Sequence, residues 1–521
     1  MSRALFKATS LVGGMTLLSR ILGFARDMVL ARYFGAGEVM DAFFVAFKIP
    51  NFFRRSFGEG AFSLAFVPVI SEYKTTREHA EVQELADRVA GSLGLLLLAV
   101  TVVGVMAAPV LVWIFAPGFS VDQGKYDLTV AMVRLTFPYL LFISLTAFAG
   151  GILNTYGRFG VPAFTPALLN VVVISAAIWW APHFRQPGMA LAWGVLIAGA
   201  VQLAFQVPWL RRLHLLPRPR LAQAHEGVRR ILKLMLPALF GSSVTQINLV
   251  VDTIIASFLA TGSVSWLYYS DRLMEFPLGV FSIALGTVIL PALAQEYAAK
   301  STAGLSATLD WALRLALVVA LPAAVGLFFL AGPLLVTLFN YGHFNAYDAR
   351  MSEVSLMAYA VGLVGFTLVK VLSPGFYARQ ETRVPVKIGV ISVIANIILN
   401  VLITIPWAMS GLAAPHAGLA LATSLAAFLN AALLYRGLRR GDIYHPSAGW
   451  RPLLRRVLLA SVAMALLLWG LVGHLAVWVA RPTADRILWL AIWIIAAAVL
   501  YFGVLFGTGF RLRHLRRMQT A

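Results

Sequence analysis

Runs of about twenty apolar residues recur along this 521-residue chain from one end to the other, and a run of that length matches the hydrocarbon core of a bilayer. In hydrocarbon every backbone N–H and C=O must be paired within the protein, which long uninterrupted runs achieve as helices. Composition agrees. The chain is 60% hydrophobic and 12% charged, where a soluble domain is nearer half apolar and a quarter charged. The expected fold class is therefore an all-α polytopic membrane protein, with no stretch polar enough to form a water-soluble core.

The expected spans are 11–33, 39–71, 88–114, 127–153, 162–182, 188–210, 231–258, 265–295, 309–330, 352–378, 384–406, 416–436, 453–474 and 486–506. The second is too long and too polar for a plain helix, because Arg54-Arg55-Ser56-Phe57-Gly58-Glu59-Gly60 interrupts it. A bent or broken helix facing protein or a wet cavity is expected there. Connections after even-numbered spans are rich in basic residues, among them Lys74, Arg77, Arg211, Arg212, Arg218, Arg220, Arg379, Arg383 and Arg436. Those after odd spans hold five: Lys125, Arg185, Arg350, Arg481 and Arg486. This bias puts both termini in the cytoplasm and supports fourteen spans over an odd number. The formal charge of +20 belongs to the same pattern, so nucleic acid is not an expected partner. Arg20, Arg26 and Asp27 interrupt the first apolar run and no clean cleavage pattern follows, so it reads as a retained span.

A repeat runs through the chain. Asp27, Ala31 and Gly37 fall opposite Asp252, Ala256 and Gly262 at an offset of 225, and Pro162 falls opposite Pro385 at 223. Pro68 and Pro291 are also 223 apart, and Tyr73 and Tyr297 are 224 apart. The expected organisation is an N-lobe over 1–210, a basic cytoplasmic linker over 211–232, a C-lobe over 233–440, and two further spans with a basic tail over 441–521. Repeats of this kind mark transporters, with the substrate site between pseudo-symmetric six-helix lobes.

Charges placed inside spans are the candidate functional groups. Arg20 lies about nine residues into the first span, roughly 14 Å along a helix. Its neighbours one turn away are Thr16, Leu17, Gly23 and Phe24, none of them acidic. Arg26 likewise has no carboxylate at helical spacing, and Asp27, being next in sequence, is expected to point elsewhere. Arg55 can pair with Glu59 and Arg272 with Glu275, whereas Arg54 has no such partner. A charge at the bilayer centre costs a few to more than ten kcal/mol, so these side chains must face a cavity or a partner on another helix. Snorkelling or structural pairing would explain one arginine. Several on equivalent spans of two lobes point instead to a central cationic cavity, where guanidinium forks suit phosphate oxygens. Of the acidic residues, Asp271 and Glu275 read as neutralising partners. Asp252, with Asn248, Asn396 or Asn400, forms a candidate site for a hard coupling cation.

Enzyme chemistry finds no support. The chain has no cysteine, no phosphate-binding glycine loop ending in Lys-Ser/Thr, and nine scattered histidines without metal-ligand spacing. No metal or organic cofactor is expected. Trp266, Tyr268 and Tyr269 read as an interfacial aromatic belt.

Longer strings carry a resemblance. Ser19-Arg20-Ile21-Leu22-Gly23-Phe24-Ala25-Arg26-Asp27 resembles the first span of the MurJ (MviN) family of lipid II flippases, as does Gly35-Ala36-Gly37 followed by Asp41 through Asn51. Phe52-Phe53-Arg54-Arg55, Glu59-Gly60-Ala61-Phe62-Ser63, Ser263-Val264-Ser265-Trp266, Asp271 through Pro277 and Pro374 through Gln380 continue it. The resemblance implies a member of the multidrug/oligosaccharidyl-lipid/polysaccharide exporter superfamily with fourteen spans. It implies that lipid-linked peptidoglycan precursor is flipped from the inner to the outer leaflet of the cytoplasmic membrane for cell-wall synthesis.

On the resemblance, Arg20, Arg26, Arg54 and Arg272 bind the pyrophosphate. Asp27, Asp41, Asn51, Arg55, Glu59, Ser265, Asp271 and Glu275 are supporting polar positions, and the last two spans form a groove for the isoprenoid tail. Lipid II, membrane lipids and cell-wall synthesis enzymes are the expected partners. Sodium, protons or the membrane potential would drive movement. The alternatives are a flippase for another lipid-linked oligosaccharide, a cation-coupled exporter, and a non-transporting scaffold for wall assembly. A drug exporter would want carboxylates and aromatics in its cavity, and a scaffold has no reason to keep charge at mid-depth.

Overall fold

The computed structural model describes residues 3–55, 62–221, 225–284 and 288–511. Among them the regular structure is helical throughout. The chain forms two compact units, Met1–Ser265 and Trp266–Ala521. The first holds α1 (Arg3–Phe34), α2 (Glu38–Phe53), α3 (Ser63–Thr76), α4 (His79–Met106), α5 (Ala108–Phe115), α6 (Gln123–Thr136), α7 (Tyr139–Thr155), α8 (Gly160–Ser175), α9 (Met189–Arg212) and α10 (Glu226–Ser257). Beginning at the junction are α11 (Ser263–Ala284), α12 (Leu290–Ala298), α13 (Thr302–Phe329), α14 (Ala331–Phe339) and α15 (Ala346–Tyr377). The second unit continues with α16 (Arg383–Met409), α17 (Ala417–Arg440), α18 (Trp450–Leu471), α19 (Leu475–Ala480) and α20 (Thr483–Gly507). Helix α10, the seventh expected span, packs on α3 and so belongs to the first compact unit.

Ten described helical segments are long and apolar enough to cross a membrane, and they match the third to sixth and ninth to fourteenth expected spans. The remaining four positions are α1, α2 with α3, α10, and α11 with α12. These are the helices that carry the charged candidate residues. At the expected break in the second span, residues 56–61 lie outside the described residues, and the flanks are irregular. Regular α-helix stops at Phe53, Arg54 and Arg55 take a wider π-type turn, and α-helix resumes at Ser63. Turns of this kind cluster at functional sites because they re-aim side chains within a helix. Glu59 lies outside the described residues. In the eighth span a π-type turn at 288–289 precedes α12.

The repeat reaches far beyond the few identities that betray it in sequence. Helices start 223 residues apart at Arg3 and Glu226, His79 and Thr302, Ala108 and Ala331, Gln123 and Ala346, and Gly160 and Arg383. The two hydrophobic cores obey the same offset: Phe66 and Ile289, Ile70 and Leu293, Val82 and Leu305, Ala86 and Leu309, Phe148 and Val371, Leu153 and Phe376 occupy equivalent places. Burial is kept while identity changes, as expected when hydrophobic volume and pattern, rather than particular side chains, specify a core. Close helix approach relies on small residues: a Cβ at Gly362 of α15 would collide with Ser424 of α17, and Gly365 lies tightly against Ala427.

A polar feature is repeated too. Asp87 of α4 accepts from the Arg218 amide (2.8 Å), and Gln83 donates to the Leu216 carbonyl (3.1 Å), fastening the linker after α9 to α4. Their counterparts 223 residues on are Asp310 and Ser306 of α13. Asp310 accepts from Tyr444 Oη (2.8 Å), Trp450 Nε1 (2.7 Å) and Ser447 Oγ (2.5 Å), and pairs with Arg314 at 2.8 Å. Ser306 Oγ bonds the His445 carbonyl at 3.2 Å. Burial, with the Asp310 carboxylate alongside, pushes the Tyr444 hydroxyl well above its ordinary range and keeps it a donor. Both connections that leave a six-span repeat are thus clamped to the third span of that repeat. Gly91 completes the first clamp, since a Cβ there would strike the Arg220 backbone. Asp87→Ala, or Gly91→Val with Asp87 intact, is expected to free the linker. Limited trypsin digestion after Arg220 should then run about tenfold faster, from the loss of one or two buried hydrogen bonds.

Candidate functional site

On α1 the two arginines behave differently. They are six residues apart, which at 100° per residue turns their directions roughly 120° from each other. Arg26 is buried, 7% exposed, where α1 packs on α8. Contrary to expectation it does have a local partner. Its Nη2 and Nε reach back to Asp27 Oδ1 at 2.7 and 3.1 Å, and Nη1 donates to Asn170 Oδ1 of α8 at 3.1 Å. Asn170 in turn donates to the Ser19 carbonyl at 3.1 Å. Adjacent helical residues do not face each other at Cβ, but the arginine side chain is long enough to swing round and meet the carboxylate. Arg20 is exposed, and among the described residues no hydrogen bond or ion pair engages it.

Arg54 sits half-buried in the π-type turn ending α2 and donates from Nε to Asn51 Oδ1 at 2.9 Å. Asn51 is itself held by the Phe47 carbonyl at 2.8 Å, so its amide aims the guanidinium. The expectation that Arg54 lacks a partner is corrected accordingly: the Asn51 amide is one partner, and it orients the guanidinium. Arg55 is exposed. Lys48, six residues earlier on α2, donates to Thr253 Oγ1 of α10 at 3.1 Å, in the helix that also carries Asn248 and Asp252.

Asp41 heads a buried knot at the start of α2. Only 1% exposed, it pairs with Lys125 of α6 at 2.8 Å and accepts from the Gly262 amide (2.8 Å), the Ser265 amide (2.9 Å) and Ser265 Oγ (2.7 Å). Gly262 turns its amide into this site with φ of 102°, a conformation open to glycine at little cost. Lys125 also lies over the Phe119 ring at 4.1 Å. Asp41 and Ser265, chosen separately from the sequence, therefore act together, and they join three segments of the first unit.

In the second unit, Arg272 of α11 has the expected local partner in Glu275 at 2.9 Å. It also bonds Tyr268 Oη at 3.1 Å and lies over that ring at 4.9 Å, so a residue read as belt is part of the arginine's seat. Asp271 is half-buried beside it. Asn396 and Asn400 of α16 are fully buried and linked at 3.1 Å, with Asn396 donating to Thr423 of α17 at 3.2 Å. Asn248 and Asp252 stand one turn apart on α10, in the first unit.

Lys48, Lys125 and Asn170 were missed in the sequence. For two of them a signal was present: a lysine inside the second span, and one asparagine in the largely apolar fifth. Breaking a buried ion pair by removing one partner costs about 3–5 kcal/mol. Lys125→Met should therefore lower the thermal unfolding midpoint in detergent markedly, and adding Asp41→Asn should recover much of the loss.

Known proteins resemble this chain in sequence and fold. A family model described as lipid II flippase MurJ matches residues 30–488. A probable lipid II flippase MurJ of Haemophilus influenzae is 44% identical over 514 residues, covering 96% of this chain and 99% of the relative. The lipid II flippase MurJ of Burkholderia cenocepacia is 44% identical over 98% of this chain and 99% of its own length. A solved lipid II flippase MurJ in an inward closed conformation superposes with a TM-score of 0.80 at 26% identity, covering 97% of this chain and 99% of that one. An inward-facing multidrug transporter of the MATE family follows at a TM-score of 0.64 over 85% of this chain and 98% of its own, and at 15% identity it shows the fold alone. With a family match across most of its length and relatives 44% identical almost end to end, the chain is a multi-pass membrane protein that belongs to the MurJ family of lipid II flippases, transporters rather than bond-making enzymes.

Proposed function

We propose that this chain moves lipid II from the inner to the outer leaflet of the bacterial cytoplasmic membrane by alternating access, with fourteen spans and both termini in the cytoplasm. Identity of 44% to lipid II flippases over nearly the whole chain is the observation that carries the reading. Lipid II joins a pyrophosphate, two sugars and a peptide to an isoprenoid tail, and such a head group does not cross hydrocarbon unaided. Arg20, Arg54 and Arg272 receive the pyrophosphate. Their supports suit that role chemically. An amide on Arg54, and a tyrosine with a glutamate on Arg272, fix the direction of two guanidinium forks whose geometry matches phosphate oxygens.

Arg26 takes a different part in this scheme. Seated between Asp27 and Asn170, it locks α1 to α8 and holds the helix that presents Arg20. The buried Asp41–Lys125–Ser265 knot holds the start of α2 in a fixed position on the side expected to be extracytoplasmic. Energy comes from the membrane potential or from a coupling cation, sodium or proton, with Asp252, Asn248, Asn396 and Asn400 as the candidate ligands. Enzymes that make and polymerise lipid II are the protein partners this role implies.

A leaflet-accessibility assay for lipid II, in cells depleted of this protein and then supplied with variants, tests the proposal. Arg54→Ala is expected to cut translocation by roughly ten- to a hundredfold, the worth of one charge-assisted phosphate contact. Arg54→Lys should fall between, because the charge survives and the planar fork does not. Wild-type accessibility with Arg20, Arg54 and Arg272 all replaced by alanine, at normal protein levels, would sink the assignment.

A further inference from the structure

Basic residues are scarce on the side of the protein that the charge bias assigns to the outside, so each one there asks for a reason. Lys125 has Asp41, and Arg185 and Arg350 are exposed. The remaining pair, Arg481 and Arg486, stands where the last two spans meet. Arg486 is 9% exposed and donates only to carbonyls: Val479 at 2.6 Å, Arg481 at 2.9 Å and Asn340 at 3.3 Å. Its charge is hydrogen-bonded but not neutralised by any carboxylate among the described residues. Arg481 lies against two indoles, with its guanidinium carbon 4.8 Å from the Trp478 ring centre and 5.3 Å from that of Trp489. Its Nη1 is closed off without a hydrogen-bond acceptor, and among the described residues Nε and Nη2 find no acceptor either. Asp485, one residue from Arg486, forms no ion pair with either arginine.

The side chain is thus held against two indoles, five residues from a second buried positive charge. A guanidinium fork suits two oxygens of one tetrahedral anion, and Trp489, 39% exposed, is of the kind that seats at the level of lipid head groups. We infer that Arg481, backed by Arg486 and held by Trp478 and Trp489, binds the phosphate of an anionic phospholipid in the outer leaflet. The site is separate from the arginines assigned to lipid II, and its leaflet rests on the topology proposed above.

Purified full-length protein in detergent, titrated with phosphatidylglycerol while its thermal midpoint is followed, provides the test. Arg481→Gln should shift the midpoint of that titration about tenfold to higher lipid. Arg481→Lys should give an intermediate shift, and Arg350→Gln, an exposed basic residue on the same side, none. An unchanged titration for Arg481→Gln and Arg481→Lys overturns the site. Equal stabilisation by inorganic phosphate without lipid overturns the lipid as occupant. Because the chain has no cysteine, Ala484→Cys can be labelled with an impermeant maleimide on intact spheroplasts. Labelling supports the outer leaflet; labelling only after lysis overturns it and the topology, while leaving the binding result standing.

Discussion

A guanidinium or carboxylate held at membrane depth costs several kilocalories per mole unless the protein compensates it, and the way each such charge is met gives this chain its working parts. Arg26 is met by its own neighbour Asp27 and by Asn170 on another helix. Asp41 is met by Lys125 and three further donors. Arg54 is oriented by an amide, and Arg272 by a tyrosine and a half-exposed glutamate. The buried pairs at Arg26 and Asp41 bind segments together.

The scaffold that carries these charges is a repeat whose strongest evidence is positional. Cores built on residues 223 apart, and a clamp repeated at Asp87 and Asp310, show two copies of one folding plan. The functional arginines do not follow that plan. At the offset of 225 that aligns the starts of α2 and α11, Arg54 falls opposite Gly279 and Arg272 opposite Phe47. Helix packing demands the same pattern of volumes in both copies, whereas recognition of a single asymmetric substrate makes no such demand on its ligands.

Much of this was legible beforehand because the bilayer imposes a coarse code. Apolar run length marked the helices. The charged, glycine-rich interruption after Phe53 marked where regular α-helix gives way to a π-type turn. Partners were harder. Helical spacing predicted the Arg272–Glu275 contact, but the same rule wrongly separated Arg26 from Asp27, since it describes Cβ positions and ignores how far a guanidinium can reach. Lys125 looked like one more loop charge, because nothing in the sequence tells a buried lysine at a helix start from a solvated one.

By itself, then, the sequence determined the class of fold, the order of the helices, the repeat and the candidate charges, since hydropathy and charge bias are local properties of a chain in a bilayer. The family match added the substrate class. Only the tertiary structure decided which charges are sequestered and which remain open, as between Arg26 and Arg20 six residues apart on one helix. That choice depends on what packs against each face: Asn170 of α8 lies 144 residues from Arg26, and Ser265 lies 224 from Asp41. Contacts at such separation come from helix packing, which no local pattern encodes.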